Sequence, residues 1–266
     1  FVSNEAFSAV GTVTPIINTL IGFFLGMSSG AGVVISQYYG AHDRANLSKT
    51  VGNCLTLTVI ASVIITVVGL IATYPILEML KTPDEIIADA HTYLIIMYYG
   101  MLGMSFYNII SGILRGLGDS VSPLLYLLVA CGLNIALDLW FVIGFGWAVM
   151  GVALATIIAQ FVSGALCLIQ LCRMRSTVDI NRHTLKLTGS IASRIGKLGL
   201  PAGLTQAVFS MAMIMVQSLT NSFGAFVITC TTVVMRVDGF AMMPNFTFGM
   251  AMTTYAGQNV GARRLD

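Results

Sequence analysis

Charged residues are scarce in this chain of 266 residues, since Asp, Glu, Lys and Arg together make up 9% of it. A typical soluble domain contains about 25%. Hydrophobic residues make up 56%, and the mean hydropathy is +0.88. So few charges could not cover the surface of a soluble globule of this size. The composition therefore excludes a soluble protein and predicts an integral membrane protein.

Three further absences exclude whole classes of function. The formal net charge is only +2, which is too small to indicate a nucleic-acid partner. The five cysteines lie in or beside apolar runs and form no spaced cluster, so we expect neither a disulfide framework nor a zinc site. No metal or nucleophile constellation such as His-Glu-x-x-His is present, and we therefore do not expect an enzyme.

Stretches without charged residues predict seven membrane spans, because a helix needs about 20 mostly apolar residues to cross a bilayer. The two longest stretches are divided at turn-forming segments around Gly146 and Gly224. The predicted spans are 9–36, 51–77, 92–114, 121–144, 149–172, 199–220 and 225–254. The predicted fold class is all-α, a polytopic transmembrane helix bundle.

The distribution of Lys and Arg predicts the orientation in the membrane. Eleven of these residues flank the spans on one side and one lies on the other, so the richer side is cytoplasmic and includes the carboxyl end. Residues 173–198 contain six of them, together with leucines and isoleucines at loosely helical spacing. This segment is either an amphipathic connector on the inner membrane surface or a solvated loop. In both cases it separates an amino lobe, 1–172, from a carboxyl lobe, 199–266.

A weak internal repeat predicts a two-lobe architecture. Residues 36–41, Ser-Gln-Tyr-Tyr-Gly-Ala, end the first span, and residues 257–262, Gly-Gln-Asn-Val-Gly-Ala, end the seventh. The two spans run in the same direction and lie six spans apart, which is typical of parallel repeats in transporters. We therefore expect a protein of twelve spans, six per lobe, of which this chain, beginning with Phe1, holds the second to the eighth.

Motifs along the whole chain resemble the multidrug and toxin compound extrusion (MATE) family. They are residues 36–41, 114–120 (Leu-Arg-Gly-Leu-Gly-Asp-Ser), 133–138 (Leu-Asn-Ile-Ala-Leu-Asp), 151–156 (Gly-Val-Ala-Leu-Ala-Thr), 199–201 (Gly-Leu-Pro) and 260–262 (Val-Gly-Ala). The resemblance implies a twelve-helix antiporter of the plasma membrane. Such a protein exports amphipathic, often cationic small molecules in exchange for protons or sodium ions, and it needs no cofactor beyond that coupling ion.

Asp138 is the one acid inside the first six predicted spans, and Asn134 lies one helical turn before it on the same face. A carboxylate and an amide oxygen can hold a proton or ligate Na⁺. The resemblance to the DinF-like branch of the family implies an ion-coupling site of Asn134, Asp138 and Thr156. It also implies an Asp on a first helix that this chain lacks, while Phe209 stands where the NorM-like branch carries a Glu. The alternative is a polar pair that only holds helices together.

The predicted sixth and seventh spans contain candidates for substrate binding. Methionines and phenylalanines concentrate there, and flexible thioethers suit an adaptable pocket. The candidate residues are Met211, Met215, Met235, Arg236, Asp238 and Phe240. Arg236 and Asp238 are two residues apart and point to nearly opposite faces, so each binds substrate or bridges helices separately.

Two other functional classes remain open. A lipid-linked oligosaccharide flippase or polysaccharide exporter of related architecture would line its cavity with basic residues. A seven-helix receptor fits the span count and orientation. However, a receptor does not explain the six-span repeat, and no Lys lies inside a span to tether retinal.

Overall fold

The chain is described by a computed structural model that covers residues 4–80, 82–223 and 225–264. These residues form eight α-helices and one π-helical segment, and no strand occurs among them. The helices are α1 Asn4–Gly40, α2 Arg44–Met79, α3 Asp84–Tyr99, α4 Met101–Gly116, α5 Val121–Leu139 with the π-helix Trp140–Gly144, α6 Val149–Arg173, α7 Gly189–Ser222 and α8 Ala225–Gly261. The predicted all-α fold class is confirmed.

Four helices in the described part of the chain are long and apolar enough to cross a membrane: α1, α2, α5 with its π-helix, and α6. Helices α3 and α4 meet this criterion only as a pair, bent by 49°. Helices α7 and α8 have 34 and 37 residues, which corresponds to more than about 50 Å of helix, enough to span the hydrocarbon core. The total of seven spans stays a prediction for these last two helices.

The bend between α3 and α4 interrupts the predicted span 92–114. Helix α3 ends before Gly100, and a β-carbon at this glycine would clash with the side chain of Ile157 on α6. Gly100 therefore allows the chain to bend where it meets α6. The uniform apolar composition of this segment contains no sign of the break.

Helix α1 lies at the centre of the packing, in contact with α3, α4, α7 and α8. Its crossing with α7 is backbone to backbone, because a β-carbon at Gly26 would clash with Gly203 and one at Gly30 would clash with Gly199. Small residues at a helix crossing allow this close approach in membranes. Helix α1 thereby joins the two predicted lobes, whose separate folding stays a prediction.

The polar segment after α6 is a loop docked on α2. The Asn53 side chain accepts a hydrogen bond from the Thr188 backbone N–H at 2.8 Å, and the Ser48 hydroxyl accepts one from the Asp179 N–H at 3.0 Å. Helix α7 begins at Gly189, so residues 189–198 are part of a helix rather than of the loop. Ile191 and Ile195, one turn apart, are buried in the core and explain why the helix starts there.

Candidate functional site

Asp138 lies in the last turn of α5, just before the π-helix Trp140–Gly144, and Asn134 lies one turn earlier. Both side chains are half-buried. The Oδ1 atom of Asp138 and the Nδ2 atom of Asn134 are buried without a hydrogen-bond partner among the described residues. Buried polar atoms are nearly always paired, so an unpaired one calls for an explanation, and a bound ion or water is one of them. π-helical turns are also frequent at functional sites.

Helix α6 brings two more polar side chains to the same level of the bundle. Gly151 packs against Phe141 at one end of the α5–α6 contact, and the Tyr126 hydroxyl donates to Gln170 Oε1 at 3.4 Å at the other. This antiparallel register places Thr156 level with Asp138, and Gln160 level with Asn134. Thr156 therefore lies at the height of the acid along the bundle, and its part in an ion site stays a prediction.

Gln160 was not recognised from the sequence. Its Oε1 atom is buried and has no partner among the described residues, whereas the Thr156 hydroxyl donates to the Val152 carbonyl at 2.9 Å. The available signal was the spacing of four residues from Thr156, which puts both side chains on one face. Tyr93 of α3, also missed, is buried within electrostatic range of the Asp138 carboxylate. The residues at the level of Asp138 thus include polar side chains of α6 and Tyr93 of α3.

The predicted substrate-binding residues lie on the exposed surfaces of α7 and α8. Phe240 is 77% exposed, and Arg236 and Asp238 have no ion pair in the described part of the chain. Met211, Met215 and Met235 are likewise exposed. None of the six borders the large cavity described next, and their role stays a prediction.

A cavity of about 440 Å³ lies between α1, α4, α7 and α8. Its lining combines small, hydroxyl, amide and apolar side chains, and among the described lining residues the one charged group is the guanidinium of Arg115. Representative lining residues are Ser29, Arg115, Thr205, Gln206, Phe246 and Met250. Phe246 is six residues beyond the predicted Phe240. The cavity and the predicted residues thus share helix α8 but lie at different heights along it, and which of them binds substrate stays a prediction.

The ends of α1 and α8 close this cavity on the side that the sequence predicts to be cytoplasmic. A β-carbon at Gly40 would clash with the backbone of Gln258, and a β-carbon at Gly261 would clash with the backbone of Gln37. The Gln258 side-chain amide also donates to the Gly116 carbonyl of α4 at 3.1 Å. The two matching segments of the internal repeat therefore meet each other in space.

The sequence profile of the MatE family matches residues 1–140 and 201–266. The chain belongs to the MatE family. The probable multidrug resistance protein YoeA of Bacillus subtilis (strain 168) is 31% identical over 98% of this chain and 58% of its own length. This member of the MatE family therefore spans little more than half of that relative, and the family predicted from the motifs is confirmed.

Solved structures of MATE transporters share the fold of this MatE chain. The outward-facing conformation of a multidrug resistance MATE family transporter of the MOP superfamily superposes with a TM-score of 0.91 at 28% identity. The match covers 99% of this chain and 59% of that one. An inward-facing conformation gives a TM-score of 0.79, with 98% and 61% of the two chains covered, again at 28% identity. The similarity to the outward-facing form is therefore the higher of the two.

Proposed function

We propose that the full-length protein is a secondary active antiporter that exports amphipathic compounds in exchange for protons or sodium ions. Membership of the MatE family and the likeness to multidrug resistance transporters support transport as the activity. The observation that carries the coupling is the buried Oδ1 atom of Asp138 in a membrane helix, which has no hydrogen-bond partner among the residues that the structure describes. Because a buried acid in a bilayer is costly, such residues are usually part of an ion or proton pathway.

The residues around Asp138 determine what can bind there. Its carboxylate, the side-chain oxygen of Asn134 and the oxygens of Thr156 and Gln160 are hard ligands of the kind that Na⁺ prefers. The same carboxylate can instead bind a proton. Either event removes the negative charge from the interior of the amino lobe.

Neutralisation of Asp138 drives transport if it favours one access state over the other. A ligand shifts a conformational equilibrium only by the difference between its affinities for the two states. The contact of α1 with α8 beneath the cavity is the element that must open and close. In this mechanism the lobes rock about α1, and the protein lies in the plasma membrane with the end of α8 in the cytoplasm.

A flippase for lipid-linked oligosaccharides is the second candidate function. The specific observation in its favour is Arg115 in the cavity, because such substrates carry phosphate groups that an arginine binds well. The two candidates differ in energy coupling, since only the antiporter requires an imposed ion gradient for net transport.

The test of the antiporter is efflux from proteoliposomes containing the full-length protein, under an imposed proton or sodium gradient. Asp138→Asn keeps the shape of the side chain but removes its charge and its titratable proton, so gradient-driven efflux should be abolished. Asp84→Asn, which changes an exposed acid at the start of α3, is the matched control and should transport normally. Normal gradient-driven efflux by Asp138→Asn would show that the coupling site lies elsewhere.

A further inference from the structure

Arg115 lies at the wall of the central cavity and forms no ion pair with any acid in the described part of the chain. Its Nη2 atom donates one long hydrogen bond, 3.3 Å, to the hydroxyl of Ser111. Among the described residues a single ion pair occurs, between Arg44 and Asp179. No carboxylate in that part of the chain therefore pairs with Arg115. A guanidinium has five N–H donors, and most of those of Arg115 are therefore available to a ligand.

The nearby acid, Asp119, is already engaged. Its Oδ1 atom accepts the Ser122 backbone N–H at 3.0 Å, and its Oδ2 atom accepts the side-chain amide of Gln170 at 3.2 Å. Asp119 is four residues from Arg115, yet it binds the first turn of α5 and a side chain of α6 instead of pairing with the arginine. The positive charge at the cavity wall is thus not cancelled by its closest acid in the sequence.

The rest of the lining complements an amphipathic molecule. Gln206 of α7 contributes a side-chain amide with no hydrogen-bond partner among the described residues, and Ser29 contributes a hydroxyl. Phe246 and Met250 of α8 supply apolar surface. A half-buried charge gains most from a partner of opposite sign, and the planar guanidinium matches carboxylate and phosphate oxygens in a bidentate arrangement.

We propose that this cavity binds the anionic group of an amphipathic ligand, a carboxylate, sulfonate or phosphate, on Arg115. The apolar part of the ligand packs against Phe246 and Met250, and Gln206 donates to the anion. The inference rests on the proposed transport function in taking this cavity as the substrate site. It assigns to that site an anionic substrate class rather than the cationic one that the family resemblance implies.

Binding of two matched fluorescent probes to the full-length protein in phosphatidylcholine nanodiscs tests the proposal. The probes are dansyl-6-aminohexanoate, which carries a carboxylate, and monodansyl-1,6-diaminohexane, which carries an ammonium group on a chain of equal length. The wild-type protein should bind the carboxylate probe at least about tenfold more tightly, as expected for one charge-assisted hydrogen-bonded pair. Equal binding of the probes, or preference for the ammonium probe, overturns the proposal without any variant.

Substitutions then assign the preference to Arg115. Arg115→Gln should lower the affinity for the carboxylate probe about 10- to 100-fold, and it should leave the affinity for the ammonium probe unchanged or higher. Arg115→Lys, which keeps the charge but not the bidentate fork, should give an intermediate loss. Arg173→Gln removes an exposed cation from the end of α6, outside the cavity, and should change neither affinity. Phe246→Ala should lower the affinity for both probes to the same extent, because it removes apolar surface that both contact.

Addition of phosphatidylglycerol to the nanodiscs identifies the source of the anion. Competition with the carboxylate probe means that a lipid headgroup occupies the site, and no competition means that a free amphipathic anion does. Both results support the proposal when they depend on Arg115, whereas binding that Arg115→Gln leaves unchanged overturns it. Because no ion gradient is applied, the outcome is independent of the Asp138→Asn transport test.

Discussion

Gly40 at the end of α1 packs against the backbone of Gln258 on α8, and Gly261 packs in the same way against Gln37. A third contact, between Ser36 and Gly257, lies one turn earlier on each helix. Reciprocal contacts of this kind are what two elements related by a local two-fold axis produce. The internal repeat thus has a structural counterpart, since the matching residues of the two segments contact each other across one helix crossing.

This contact should control how readily the cytoplasmic end of the cavity opens. Gly261→Ala places a methyl group against the Gln37 carbonyl and should destabilise the closed form by about 1–3 kcal/mol, as overpacking does. Spin labels at the exposed positions His42 and Arg263, in a protein without native cysteines, should then report a larger fraction of long distances between α1 and α8.

Gly239→Ala is the control for that substitution, because it lies on the same helix with open space around it. It should leave the distance distribution unchanged. An unchanged distribution for Gly261→Ala as well would show that the crossing of α1 and α8 does not determine access to the cavity.

The neutral ligands around Asp138 should contribute less to coupling than the carboxylate. Asn134→Ala, Thr156→Val and Gln160→Leu each remove one uncharged oxygen ligand, worth about 1 kcal/mol. Each should raise the ion concentration for half-maximal transport about fivefold without abolishing transport. The measurement is initial efflux rate against ion concentration in proteoliposomes.

Gln170→Leu serves as the matched control for Gln160→Leu. It is an equivalent change on α6, but Gln170 contacts Asp119 near the predicted cytoplasmic end instead of the ion site. Its ion dependence should equal that of the wild type. The proposed ligand set is wrong if Gln160→Leu behaves like this control.

The positions of several spans followed from the sequence because a bilayer excludes charge. The predicted span 121–144 coincides with α5 and its π-helix, and the predicted span 149–172 differs by one residue from α6. Asn134 and Asp138 were recognisable for the same reason, since polar groups are conspicuous inside an apolar helix. These features depend on the local sequence and the solvent alone.

The features that depend on contacts between distant helices were not predictable. Gly100 interrupts the third span only because Ile157 approaches it. Arg115 reaches the cavity only because α4 packs against α1, with α7 and α8 across the cavity. Gln160 is a further example. Its spacing from Thr156 is visible in the sequence, but its burial beside α5 depends on the register between the two helices.

Asp43 should make the stability of α2 depend on pH. It caps the helix, and the backbone N–H of Asn46, together with the side-chain amide of the same residue, holds the pKa of its carboxyl below the ordinary value of 3.8. A lowered pKa in the folded state means that this stabilisation is complete above the ordinary value. It is lost as the pH falls through the lowered pKa.

Asp43→Ala should therefore cost about 1 kcal/mol near pH 7. Asp43→Asn keeps a capping oxygen and should lower the free energy of unfolding by only about 0.3 kcal/mol. Thermal unfolding of the full-length protein between about pH 7 and about pH 3 measures both. The stability difference between wild type and Asp43→Asn should shrink at the acid end, and a difference that grows there would contradict the role of the carboxylate.

Cysteine protection distinguishes the two candidate positions of the substrate on α8. The sequence predicts contact at Phe240, which is exposed, whereas the cavity of the structure is lined by Phe246. Residues six apart are separated by about 9 Å along a helix, so one small ligand does not cover both equally. We expect an amphipathic substrate to slow maleimide labelling of Phe246→Cys at least about tenfold, as for a site nearly saturated with ligand. Protection at Phe240→Cys alone would instead place the substrate nearer the amino end of α8, away from Arg115, and would support Arg236 as the charged group in its path.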